Sequence, residues 1–125
     1  MMKIHINRIM DHGDSNERII LDVNADTDIG EFLILDTTYT TRGRASNKVR
    51  HPYWFPDKIV RKGDTVVLYT KRGENRTRIN DNNTCSHFFY WELEHNIWNN
   101  NDDCAILLHV DDWSSYSVKI KKLNP

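Results

Sequence analysis

The sequence predicts an all-β domain, a sandwich or small barrel, and three observations carry that expectation. Apolar and polar residues alternate at period two along most of the chain, as side chains do when they take turns on the two faces of a strand. The alternating runs are rich in β-branched and aromatic residues and end at clusters of Asn, Asp, Gly and Ser, the composition of short strands separated by turns. No segment sustains the 3.6-residue period of an amphipathic helix, and residues 11–18 have room for one helical turn at most.

Taken in order, seven segments read as strands. "KIHINRI" sets Ile4 and Ile6 against Lys3, His5 and Asn7. "ERIILDV" places Ile19, Leu21 and Val23 on one face, with Arg18, Ile20 and Asp22 on the other. In "GEFLILDTTYT" both faces are apolar, Phe32 and Ile34 opposite Leu33 and Leu35, so this strand is expected deep in the core. "DTVVLYTK" reads likewise, and "SHFFYWEL" alternates Phe88 and Tyr90 with Phe89, Trp91 and Leu93. "CAILLHV" follows. "SYSVKIKKL" closes the set, with Tyr116, Val118 and Ile120 inward and Ser117, Lys119 and Lys121 outward. Loops are expected at 11–16, 24–30, 41–52, 72–86, 95–103 and 111–115. The segments 41–52 and 72–86 are polar and rich in Arg and Asn, and long loops on a β scaffold are where recognition surfaces usually sit.

A length of 125 residues fits a single domain, 1–125. An apolar content of 38% with four Trp, five Tyr and four Phe supplies one core. The net charge of −1 names no partner, but its distribution is uneven. Residues 42–78 hold 11 of the 17 Lys and Arg against three acids, a local net of +8, and the remainder carries −9. Such asymmetry points to an anionic partner or to head-to-tail self-association. No apolar run approaches membrane-spanning length, and the opening "MMKIHINRIMDHGDSN" lacks the apolar segment of a signal peptide, so a cytoplasmic address without membrane contact is expected. The sequons at Asn75 and Asn82 then carry no meaning. Cys85 and Cys104, the two cysteines, are expected as buried thiols rather than a disulfide.

Three motifs in order resemble a known family. "NERIILDVNADTDIGEFLILDTTY" is similar to the opening of a lamin-tail domain, with Glu17, Asn24 and Leu35 at its marked places. "YWFPDKIVRKGDTVVLYTKRG" resembles the middle signature through Phe55-Pro56, Val60, Gly63, Val66 to Tyr69 and Gly73. "IWNNNDDCAILLHVDDW" resembles the third, through Trp98, Asn99, Asn100, Asp103 and Leu107. The resemblance runs over roughly residues 15–118 and implies an immunoglobulin-like β-sandwich of about 7–9 strands. It departs from the family where Asn101 and Asp111-Asp112 stand in place of turn glycines, residues that still tolerate the left-handed region. It departs again at Trp113, which replaces a small apolar residue. Lamin-tail domains are mostly non-catalytic interaction modules. The eukaryotic ones bind chromatin, DNA and nuclear-envelope proteins, and bacterial ones accompany nucleases, phosphoesterases or membrane anchors. The extent of the match reads as a stand-alone, microbial member.

Three constellations are candidates for chemistry. The run Trp98 to Asp103 offers oxygen ligands for a hard cation, but reads better as a turn whose Asn and Asp side chains bond their own backbone, with Trp98 in the core. No metal or other cofactor site is expected. Cys85 and His87 place a thiol near an imidazole with no orienting acid in view, which disfavours a small enzyme built on them. The basic residues Arg42, Arg44, Lys48, Arg50, Lys58, Arg61 and Lys62, interleaved with Tyr53-Trp54-Phe55, suit phosphates and bases; Lys71, Arg72, Arg76 and Arg78 extend the set. Under the family resemblance, Phe55 and Trp54 are instead claimed by the interior. The reading is a non-catalytic binding module that recognises nucleic acid or another polyanion through a basic loop surface, residues 42–78. The alternative is a protein-interaction or self-assembling module.

Overall fold

A computed structural model of the chain describes residues 1–38, 50–98 and 103–118. Among the described residues it is all-β, with ten strands in three sheets. The first sheet contains β1 (Ile4–Met10), β2 (Arg18–Val23), β7 (Thr65–Tyr69), β8 (Arg76–Ile79) and β9 (Cys85–Tyr90), in the order β1-β2-β7-β9-β8. Its neighbours are antiparallel except β7 and β9, which run parallel with Thr65 opposite Ser86 and Tyr69 opposite Tyr90. The second sheet holds β10 (Asp103–His109), β4 (Phe32–Thr38) and β5 (Arg50–Trp54), with β4 central. The third pairs β3 (Thr27–Asp28) with β6 (Ile59–Val60). Residues Ile29–Glu31 form a single 3₁₀ turn capped by Asp28, whose carboxylate accepts from the Gly30 N–H. Among the described residues no helix is long and apolar enough to cross a membrane.

The expected alternation sets the interior. Ile4 on β1, Ile19, Leu21 and Val23 on β2, Val66 and Leu68 on β7 and Phe89 on β9 all point into one core. They meet Phe32 and Ile34 of β4, Phe55, Val60 of β6, and the ring pair Trp91 and Trp98. From β10, Ala105 and Leu107 pack against the same cluster. The strand β4 is buried on both faces, as its continuous apolar run requires: Phe32, Ile34, Leu35, Asp36 and Thr37 are all enclosed.

Several expectations change. Residues Arg76–Ile79, placed in a loop by their polarity, form the edge strand β8 with all four residues exposed. The loop expected at 41–52 gives its last residues to β5, and the one at 24–30 gives Thr27–Asp28 to β3. The strand expected from "SYSVKIKKL" is absent through residue 118, and its inward residues Tyr116 and Val118 are 92% and 84% exposed. Alternation says which side chains would share a face; it does not supply a neighbouring strand to pair with. Positions 119–123 of that segment lie outside the described residues. Trp54, assigned to the interior by resemblance, is 47% exposed; its indole N–H donates to the Gly30 carbonyl at 2.6 Å and its ring meets Trp113 edge-on. Both cysteines are free thiols, Cys104 buried and Cys85 half-buried.

The acid that precedes β2 has an unexpected role. Glu17 is wholly enclosed, and its carboxylate accepts three backbone N–H groups, from Gly13 at 2.8 Å, Ile97 at 2.8 Å and Trp98 at 3.1 Å. Its own carbonyl accepts from the Thr70 N–H at 3.2 Å. One side chain thereby ties the β1–β2 turn to the segment that carries both core tryptophans. Replacing Glu17 by Ala strands three donors around a void, which costs roughly 3 kcal/mol. Urea unfolding of Glu17→Ala checks this: the midpoint falls while the slope holds.

Candidate functional site

The side chains of the five-stranded sheet that do not enter the core form a second surface. Register places them in rows. Arg18, Tyr69 and Tyr90 stand side by side across β2, β7 and β9. The next row is Arg8, Ile20, Val67, Phe88 and Arg76, crossing all five strands. A third holds His5, Asp22, Thr65, Ser86 and Arg78. The outer face is therefore a strip of aromatic and aliphatic residues with cations at its edges.

Those cations are seated on rings. The guanidiniums of Arg76 and Arg78 lie 4.8 and 5.2 Å from the centre of Phe88, which they cover to 7% exposure. Lys71 and Arg18 lie 5.0 and 5.7 Å from the centre of Tyr69. Each such contact contributes about 0.5–1 kcal/mol at an exposed site, enough to bias a long side chain toward one position while its charge stays in water. Tyr69 stacks on Tyr90 at 5.1 Å with planes 8° apart. The backbone of Gly73 closes the other side of Tyr90; a Cβ there would lie 2.4 Å from the ring. The rings are thus supports for charge rather than free platforms for stacking.

Not all of this charge is available. Arg18 is paired to Asp11 at 2.6 Å, and Asp22 accepts from Asn7 at 2.8 Å and faces His5 at 3.4 Å. Among the described residues no ion pair engages Arg8, Lys71, Arg76 or Arg78, although Lys71 donates to the Asn16 side chain at 2.8 Å.

The basic residues expected to act together are dispersed. Lys71, Arg76 and Arg78 share the outer face, and Arg72 sits nearby in an exposed pair with Glu94 at 3.8 Å. Lys58 reaches the opposite side of β8, where it bonds Thr77 and lies 5.9 Å from the centre of Phe89. Arg61 and Lys62 occupy the turn between β6 and β7; Asp26 pairs with Arg61 at 3.8 Å and accepts the Lys62 N–H at 2.9 Å. Arg50 belongs to the other sheet, opposite Asp36. Arg42, Arg44 and Lys48 lie outside the described residues, as do positions 99–102 of the proposed turn; Asp103 opens β10. The aromatics expected to interleave with these bases are elsewhere too, since Phe55 is buried and Tyr53 packs against Phe55 and Trp91. Arg8, Arg18, Tyr69, Phe88 and Tyr90 were missed. Their signal is present as the outward half of each alternating strand, but strand order is needed to assemble it.

Cys85 and His87 present a separate geometry. The orienting acid that the sequence does not reveal is Asp64, whose Oδ2 lies 2.8 Å from His87 Nε2. The imidazole is 3% exposed and its Nδ1 has no partner among the described residues, so the pair is enclosed between β9 and the turn before β7. Burial works to raise the Asp64 carboxyl, but His87 and the N–H groups of Arg61 (3.0 Å) and Cys85 (2.9 Å) outweigh it and hold the group below its ordinary range. At Cys104, burial, with Asp36 and Asp103 alongside, pushes the thiol up and away from the nucleophilic thiolate.

No known protein family's profile matches this sequence, and no curated protein matches it either. Because the folded pKa of Asp64 lies below its unfolded value of 3.8, its contribution is present above that value and lost as pH falls through the folded one. Denaturant titrations of wild type and Asp64→Asn from pH 6 to pH 2 are expected to converge in stability at the acid end. Parallel curves would remove Asp64 from the account.

Proposed function

We propose that this chain is a lamin-tail-like module, an immunoglobulin-like sandwich with no catalytic role, that binds nucleic acid or another polyanion. Its contact surface is the outer face of the five-stranded sheet, with Arg8, Lys71, Arg76 and Arg78 meeting phosphates. The observation that carries this reading is the placement on one face of four cations that have no carboxylate partner among the described residues, two of them over Phe88 and one over Tyr69. Cations held by rings lose little further freedom on meeting a phosphate, which lowers the cost of binding. Recognition of this kind follows backbone charge and is indifferent to base sequence.

The test is the salt dependence of affinity. For single-stranded DNA each phosphate contact contributes about 0.7 to the slope of log affinity against log salt, and for duplex about 0.9. Arg76→Gln/Arg78→Gln is expected to flatten the slope by about 1.4 to 1.8 and to weaken single- and double-stranded DNA alike. A wild-type affinity that ignores salt ends the proposal.

A second reading, self-assembly, is favoured by one observation: β8 is an edge strand with every residue exposed, and its outer backbone groups can accept another strand. Association through this basic edge and an acidic surface of a second copy weakens as salt rises. Sedimentation at low and high salt measures it, and a monomer at both removes this reading.

A further inference from the structure

Where the outer face ends at Tyr90, the charge changes sign. A cleft of about 480 Å³ opens there between the end of β5, the segment 73–75 and the residues that follow β9. Its lining combines Tyr53, Tyr90 and Trp91 with Asn75 and the carboxylates of Glu74 and Glu92. Among the described residues no Lys, Arg or His contributes to it. Tyr53 packs against Trp91, with centroids 5.7 Å apart and planes inclined at 57°; Tyr53 is half-buried and Trp91 shows 9% of its surface.

The carboxylates are unspent. Glu74 and Glu92 are both exposed, and among the described residues neither enters an ion pair. Glu92 also has φ of 63°, in the left-handed region that a long side chain adopts only when its surroundings impose it. Here three consecutive backbone bonds impose it, from Trp91 to Tyr69 (2.7 Å), Glu92 to Lys71 (3.1 Å) and Leu93 to Thr70 (2.8 Å). The field reaches into the cleft: burial, reinforced by the Glu92 charge and opposed by Asn75, pushes the Tyr53 hydroxyl up to about 12. Asn75 is itself fixed, accepting the Tyr90 N–H at 3.1 Å.

We propose that this cleft binds the guanidinium of an arginine side chain presented by a basic peptide segment. Aromatic walls attract a cation through their negative faces. A planar, weakly hydrated guanidinium stacks on a ring while its edge meets a carboxylate, which a compact ammonium cannot do. A hard divalent ion needs about six oxygen ligands, more than two carboxylates and a tyrosine provide. The site is distinct from the cationic strip and takes a ligand of opposite sign.

The experiment is an NMR titration of the whole chain with Nα-acetyl-arginine methylamide. Saturable shifts are expected at the Trp91 indole, the Asn75 side-chain amide and Tyr53. The citrulline analogue, similar in shape but uncharged, is expected to bind at least tenfold more weakly, and the lysine analogue severalfold more weakly. Glu74→Gln/Glu92→Gln is expected to lower arginine affinity tenfold or more, with signals remote from the cleft unmoved. If the double variant does not fold, Glu74→Gln alone is read in its place, with a threefold loss expected. The proposal is overturned by equal binding of citrulline, by unchanged affinity in the variant that folds, or by the absence of saturable shifts at these three residues.

Discussion

The buried carboxylate of Glu17 is the constraint on which the two surfaces depend. An enclosed charge without compensation costs several kcal/mol, and here three backbone N–H groups meet it. Two of them belong to Ile97 and Trp98, far along the chain, so the carboxylate fixes where the segment after β9 returns to the core. Trp98 lies there with no partner for its own indole N–H among the described residues; its position is set by the backbone clamp and by its edge contact with Trp91. Trp91 in turn forms a wall of the acidic cleft. A single interaction next to β2 thus sets geometry two strands away, beside β9 at the same end of the sheet.

The division of charge follows from the phase of the strands. On β8 the outward residues are Arg76 and Arg78, while the residues just before β8 and just after β9 bring Glu74 and Glu92 around the end of Tyr90. Opposite charges so close would cancel at long range. At physiological ionic strength, however, fields between exposed groups decay over about 8 Å. Each surface therefore presents its own sign to a ligand in contact with it. A near-neutral chain can carry two strongly charged sites without a strong total field.

Much of the interior was legible in the sequence. Ile19, Leu21 and Val23, the doubly apolar run of β4, and the core roles of Trp91 and Trp98 follow from alternation and residue size, because burial of those side chains dominates the energetics. The edge strand β8 was not legible. Arg-Thr-Arg-Ile is exposed throughout, so no apolar period marks it, and only its pairing with β9 makes it a strand. The opposite error occurred at Tyr116 and Val118, where the pattern is present and the partner is missing. The candidate surface was half legible for a related reason. Lys71, Arg76 and Arg78 stood out as basic residues, but Arg8, Arg18 and the supporting rings join them only through a parallel β7–β9 register, which short-range periodicity cannot encode.

The central position of β4 has a consequence for synthesis. Its partner β10 pairs Asp103 with Thr38 and His109 with Phe32, so at least 65 further residues must be made before the first of these bonds can form (103 minus 38). At translation rates of 5–20 residues per second that interval is about 3 to 13 s. During it a segment apolar on both faces, Phe32-Leu33-Ile34-Leu35, has at most β5 beside it. The nascent chain carries that apolar segment unpaired with β10 for the whole interval, and slower decoding between β5 and β10 would lengthen its exposure.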